Sequence, residues 1–201
     1  MATTLWLPRE TLAQLTVIFY PGVFVYWLIV HNNISRLRQW GTRAFWVAVP
    51  AWAITSVPLL LFRRNIFSVR WDFPDWVEGV LIVAGVFAIV LAVALLLQAG
   101  RQIPFRTLVG FPEIAPQTNK QPILTSGIYS KTRNPVYLAH WLVVFSAAAL
   151  TNFAANWIGF AVDCAVLPLL IHAEERELLT RYGDKFAGYM RQVPRFFPRL
   201  R

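Results

Sequence analysis

Two short islands in the C-terminal half of the chain carry the side chains best suited to chemistry. The first is Arg133-Asn134-Pro135-Val136-Tyr137 with His140 close behind; the second is Glu174-Glu175. Asn is a good helix N-cap and Pro is favoured at the first helical position, so Asn134 and Pro135 are accounted for by a well-made helix start. Arg133, Tyr137 and His140 are not, although one basic residue at a helix start can serve topology alone. A helix start also offers unpaired backbone N–H groups and the positive end of the dipole, which favour an anion such as a ligand carboxylate. Tyr137, His140, Trp141 and Val144 share one helical face, where packing competes with function as the explanation.

Glu174 and Glu175 stand where an apolar span is expected to leave the membrane. If the helix ends there, its dipole disfavours them, and acids placed against a local preference point to a role. If they open an amphipathic helix instead, they are at home. Glu177 reads as a solvated surface residue. Asp163 falls inside an apolar run, where a carboxylate needs a partner or a water-filled cavity; a protonated Asp bonded to a neighbouring helix competes with a substrate role. His140, His172 and the glutamates lack a compact ligand spacing such as H-E-x-x-H, so no metal is expected. There is no G-x-S-x-G nucleophile elbow, no GxGxxG and no P-loop.

These residues have to be positioned by apolar helices. The 201 residues are 57% hydrophobic and 14% charged, with nine Trp and fifteen Phe. A soluble domain carries about 25% charged residues, so this surface is poorly suited to water. From Thr11 to Ser35 there is no Asp, Glu, Lys or Arg, and the apolar core 12–30 suffices for a layer of about 30 Å at about 1.5 Å per residue. Further spans are expected over 44–62, 79–100, 135–150 and 157–172, with Pro50 and Pro58 kinking the second. The last two form an antiparallel hairpin through 151–156, and the fourth is short enough to sit partly inside the protein. The predicted fold is therefore all-α, a polytopic membrane protein of about five transmembrane helices in one domain, 1–201. With no basic stretch before it, the first span is expected to be an uncleaved membrane helix. Cys164 cannot form an intramolecular disulfide and is expected to be a buried thiol.

The segment Arg101–Arg133 is polar, rich in Pro and too long for an idle connection. Within it Gly127-Ile128-Tyr129 is expected to be ordered around a glycine turn. The tail 174–201 is amphipathic. Leu178, Tyr182, Phe186, Tyr189 and Val193 make one stripe, with Arg176, Arg181, Lys185 and Arg191 opposite. Gly183 is expected to divide it, and such a helix can lie on a membrane surface or close over a site. Arg195-Phe196-Phe197-Pro198-Arg199 has interfacial anchors.

Five spans sort fifteen of the nineteen basic residues to one side, among them Arg36, Arg38, Arg43, Arg101, Arg106, Lys120, Lys131, Arg133 and the tail. Arg9, Arg63, Arg64 and Arg70 fall on the other. The positive-inside rule places the N-terminus outside and the loop and tail together at the cytoplasmic face, of a bacterial inner membrane by expectation. The net charge of +9 thus reads as topology and attraction to acidic lipid headgroups rather than nucleic acid.

In this order the motifs resemble the isoprenylcysteine carboxyl methyltransferase and phospholipid methyltransferase superfamily of membrane enzymes. That pattern runs roughly G-x-Y, R-H-P-x-Y, a helical hairpin, E-E-x-x-L, F-G-x-x-Y-x-x-Y and a closing R-x-x-P. Gly127 to Tyr129, Arg133 to Tyr137, Glu174-Glu175 with Leu178, Tyr182-Gly183 with Tyr189, and Val193, Arg195 and Pro198 meet it. The family's His is Asn134 here, which weakens any proton-carrying role there, and Phe186 replaces the first Tyr. The resemblance implies S-adenosylmethionine as methyl donor. Gly127, Tyr129, Arg133, Asn134, Pro135 and Tyr137 would line it with His140 nearby, and Glu174 and Glu175 would complete the site. Arg133, Glu175 and Arg195 are the residues expected to serve the reaction, on a lipid-like or prenylated acceptor. Arg133 or helix N–H groups suit the donor's carboxylate, a Glu its ammonium or ribose diol, and aromatic faces its sulfonium. Two other readings stand beside it: an NADPH-dependent reductase resembling sterol reductases, which share a similar hairpin, and a non-enzymatic membrane scaffold.

Overall fold

The computed structural model describes residues 6–118 and 122–197. Lys120, Pro198, Arg199 and Arg201, used above for topology or for the motif, lie outside them. The protein is an all-α polytopic membrane protein. Among the described residues, four helical runs are long and apolar enough to cross a bilayer, Arg9–Asn32, Ile34–Leu61, Asp75–Gly100 and Ala154–Tyr182, and Pro135–Thr151 is a shorter apolar helix.

The first run belongs to α1 (Trp6–Asn32). The second is not the single kinked helix expected over 44–62. It begins earlier and has three parts: α2 (Ile34–Trp40), a 3-10 stretch Gly41–Val47 and α3 (Ala48–Leu61). Gly41, at φ 55°, marks the change of winding. A short α4 (Arg63–Ile66) follows, and then α5 (Asp75–Gly100), the most uniformly apolar element.

The fourth expected span is α8 (Pro135–Thr151), numbered after two short loop helices, α6 (Phe105–Leu108) and α7 (Phe111–Ile114). Its 17 residues make about 25 Å of helix, short of the hydrocarbon layer. As expected, it is buried along much of its length, packed among α1, α5 and α9. α5 meets it through Gly85, Ala88, Ala92, Leu95 and Ala99, a seam of mostly small residues that lets two backbones approach. A Cβ on Gly85 would stand 2.8 Å from Leu150 Cγ.

Asn152, at φ 56°, caps α8 and turns the chain into α9 (Ala154–Tyr182). α9 does not stop at the membrane boundary. Its 29 residues extend about 43 Å, so a full bilayer crossing leaves two or more turns projecting. Glu174 and Glu175 therefore sit in a continuous helix and at neither of its ends, and neither dipole argument made for them applies. The chain breaks at Gly183 (φ 55°), as expected, and continues as α10 (Asp184–Gln192).

Polar contacts gather at the two ends of this bundle. At the α8 C-terminal end, Trp71 N–H donates to Asn152 O at 2.8 Å, Ala154 N–H to Val69 O at 3.0 Å, and Glu78 binds both Arg70 and Asn152. The larger polar network lies at the opposite end, where the loop, α10 and the final strand-like segment meet.

Candidate functional site

Arg133 organises that end. Its guanidinium Nε and Nη2 donate to Glu175 Oε1 at 3.1 and 2.8 Å, and its Nη1 donates to the carbonyls of Met190 (2.9 Å) and Val193. The two islands of the sequence therefore meet, as the resemblance required. Glu175 accepts a second cation through Oε2, from Arg195 Nη2 at 2.5 Å. The Arg195 carbonyl is in turn held by Thr132 Oγ1 (3.1 Å) and Asn134 Nδ2 (3.2 Å), and Arg133 N–H donates to Pro194 O at 3.0 Å. Segments 132–134 and 193–195 are thus stitched together across the end of α9.

Arg133 offers five N–H donors, and hydrogen bonds to the protein from Nε, Nη1 and Nη2 take up all but one of them. Its first duty is to brace α9 against the end of α10, and little of it is free for a ligand carboxylate. Arg195, expected to serve the reaction or to anchor the tail at the interface, is committed to Glu175.

Beside this brace lies a cavity of about 420 Å³, within the range of small-molecule sites. The α8 start gives it Arg133, Asn134, Pro135, Val136, Tyr137 and His140, and α9 gives it Leu170, Glu174, Glu175, Leu178, Arg181 and Tyr182. α1 contributes Val23, Phe24 and Trp27, the loop Tyr129 and Glu113, and α10 Phe186 and Tyr189. The amphipathic stripe of the tail therefore closes over a site. Phe186, Tyr189 and Val193 are buried against Ile123, Leu178 and Tyr182. Gly127 does not line the cavity. It turns the chain at φ 56° against Gln102, and a side chain there would strike Gln102. The ordered turn expected around it is a 3-10 turn, Gly127–Ser130, with Ile128 and Tyr129 buried.

Inside the cavity Glu174 and the Tyr137 hydroxyl share a hydrogen bond. Tyr189 donates to the Tyr129 carbonyl at 2.6 Å. Burial pushes the Tyr189 hydroxyl up to about 12 against the lowering effect of Arg133, and burial also raises Tyr129. Both phenols therefore stay protonated.

Sequence reasoning missed a second ionic cluster. Glu177, expected on a solvated face, is buried. It pairs with Arg38 of α2 and, at 3.0 Å, with Arg181, which also reaches Glu113 Oε1 at 3.2 Å and Pro112 O at 2.9 Å. Arg38 Nε donates to Glu113 O at 3.0 Å. Arg181 is thereby drawn out of the basic face assigned to it. Burial raises the Glu113 carboxyl above its ordinary value, against the lowering effect of Arg181.

Asp163 has the partner its depth demanded: its Oδ1 lies 3.3 Å from His140 Nε2. Trp141, placed on the same face by spacing, turns away and donates to Cys164 Sγ at 3.1 Å. Cys164 is exposed, not buried; in a bilayer that surface faces lipid. His172 is exposed and outside the cavity. Among the described residues, no three His, Cys, Asp or Glu side chains cluster as metal ligands would.

Fold and site define a polytopic membrane protein with a largely apolar pocket, carrying a few charged and polar side chains, at one end of its helix bundle. No family model and no solved structure matches the chain. Among curated proteins it is 30% identical, over 77% of its length, to the cobalt-zinc-cadmium resistance protein CzcN of Cupriavidus metallidurans, spanning 62% of that protein. It is 26% identical over 65% of its length to the nickel-cobalt-cadmium resistance protein NccN of Alcaligenes xylosoxydans xylosoxydans, spanning 55% of it. Over 37% of its length it is 30% identical to a methanethiol S-methyltransferase of Crocosphaera subtropica, spanning 28% of that enzyme. The chain thus spans less than two thirds of each of these relatives, and its similarity to methyltransferases is distant.

Proposed function

We propose that the cavity binds S-adenosylmethionine and that the protein transfers its methyl group to a lipophilic acceptor at the membrane. The observation that carries this reading is the Glu174 carboxyl group, held by Tyr137 in a cavity walled by Trp27, Tyr129, Tyr182 and Phe186. A carboxylate suits the donor's ammonium or ribose diol, and aromatic faces suit a sulfonium cation. The first turn of α8 presents N–H groups to a carboxylate more freely than Arg133 does. When bound, the donor supplies an electrophilic methyl group. The protein's contribution is alignment, which dominates an in-line displacement.

The distant likeness to methanethiol S-methyltransferases supports the donor and makes a thiol a candidate acceptor beside the lipid-like or prenylated ones. The pocket end is assigned to the cytoplasm by the distribution of Lys and Arg. A role in metal-ion resistance is the second reading, favoured by the longer match to CzcN. Survival in cadmium or cobalt of a sensitive host expressing the protein tests it.

Labelled S-adenosylmethionine binding to detergent-purified protein tests the first reading, with NADPH as the competing ligand. Glu174→Ala is expected to weaken donor binding at least 10-fold while leaving the melting temperature nearly unchanged. Binding of NADPH alone, or an unchanged affinity in Glu174→Ala, would overturn the assignment.

A further inference from the structure

We infer that His140 and Asp163 form the proton-accepting end of this cavity, and that the acceptor is a neutral protic nucleophile, of the alkanethiol type, that surrenders its proton there. The inference rests on the methyl-transfer reading above.

His140 lines the cavity about five residues into α8, roughly 7.5 Å along the helix from Pro135. Its ring is packed between Tyr20 (centroids 4.6 Å apart) and Phe24 (4.7 Å, edge-on), both from α1. Nε2 lies 3.3 Å from Asp163 Oδ1; in the tautomer that donates from Nε2 to that oxygen, Nδ1 carries the lone pair. The Asp163 side chain is 3% exposed, and its Oδ2 has no hydrogen-bond partner among the described residues. A carboxylate kept at that depth is costly, and α5, packed along α8, brings no ionisable side chain between Glu78 and Arg101 to compensate. Asp163 and Glu174 lie eleven residues apart on α9, three turns and about 16.5 Å, on nearly the same helical face. One face of α9 thus offers a carboxylate for the donor at one level and, at another, a carboxylate that braces the α8 imidazole for the acceptor.

The chemistry matches that division. A carboxylate acceptor arrives ionised and needs no base. A neutral thiol does: its S–H proton passes to His140 Nδ1, and the sulfur pair forms the new bond to the methyl carbon. The bond from methyl to the donor sulfur breaks, with its pair staying on that sulfur. Asp163 stabilises the imidazolium, which later gives its proton to water. Asp163 is a positioning residue here, because it acts through His140.

The test compares decanethiol with thiophenol, which is largely ionised at pH 8, in protein carrying His140→Gln or Asp163→Asn. With decanethiol, His140→Gln is expected to lower kcat about 100-fold and Asp163→Asn about 10-fold, with KM little changed. With thiophenol both should stay within about threefold of the unaltered protein. Donor affinity and melting temperature, measured for each variant, should also stay close to the unaltered values. Equal losses with both thiols, no loss with decanethiol, or methylation of decanoic acid but neither thiol would overturn the inference. Failure of the unaltered protein to bind donor would instead overturn the methyl-transfer reading, and this inference with it.

Discussion

Glu175 is the residue on which the pocket end depends. It is almost fully buried, and it accepts from two arginines at the seam between segments 132–134 and 193–195. Removing one partner of a buried pair leaves an uncompensated charge and costs about 3–5 kcal/mol. The Arg133 pair falls in that class, with side chains 10% and 4% exposed, whereas the Arg195 contact is 39% exposed and worth much less. Glu175→Ala is therefore expected to lower the detergent melting temperature sharply and donor binding with it. Arg195→Ala should do so only mildly; thermal denaturation of the two variants separates them.

Glu113 gives a pH signature. Its carboxyl is raised above the ordinary 4.5 by burial. In the window between that ordinary value and the folded-state one, the native state holds the proton more tightly than the unfolded chain. Its stabilising contribution is then complete below the ordinary value and is lost as pH rises through the folded-state value. Glu113→Gln should flatten the fall of melting temperature with rising pH, read in a series of buffered detergent scans. At this scale, type and order made the Arg133–Glu175 meeting legible, since both belonged to one recognisable pattern. Glu177 was not legible, because its partner Arg38 is 139 positions away and no local rule connects them.

Among the elements, α9 differs most from expectation. Hydropathy marks only its apolar part, which ends near 172, and leaves the charged turns beyond it looking like a separate tail. Helix continuity depends on backbone bonds that hydropathy does not see, and nothing between His172 and Tyr182 breaks them. The break comes at Gly183, whose φ of 55° and ψ of −135° belong to a region that L side chains avoid at a cost of about 1–3 kcal/mol. Gly183→Ala is expected to destabilise the α9–α10 corner by that amount and to raise protease sensitivity of the tail. The α5–α8 seam is tested by Gly85→Val: the close approach to Leu150 predicts a loss of about 1–3 kcal/mol through overpacking, measurable by thermal denaturation in detergent. The second span starts earlier than its apolar composition suggests, and that composition does not distinguish α from 3-10 winding.

For the whole molecule, the two polar ends give the bundle a direction. Arg70, Glu78 and Asn152 close one end, and Arg133, Glu175, Arg195, Arg38 and Glu177 the other. The basic bias predicts that the second end faces the cytoplasm. A fluorescent-protein fusion at the C-terminus should then be bright and an alkaline phosphatase fusion at the same point inactive; the reverse pattern would invert the topology. The spans near 12–30, 79–100 and 157–172 were legible because lipid imposes length and apolarity directly on sequence. The pocket was legible only in its α8 and α9 walls. The contribution of Val23, Phe24 and Trp27 was hidden, since an apolar helix face reads the same whether it meets lipid or a ligand.

The unbroken length of α9 has one more consequence. Asp163, Glu174 and Glu175 ride on a single rigid rod that is longer than the oily layer it crosses. A host membrane with shorter or longer acyl chains would change the lean of that rod, shifting both halves of the pocket in concert.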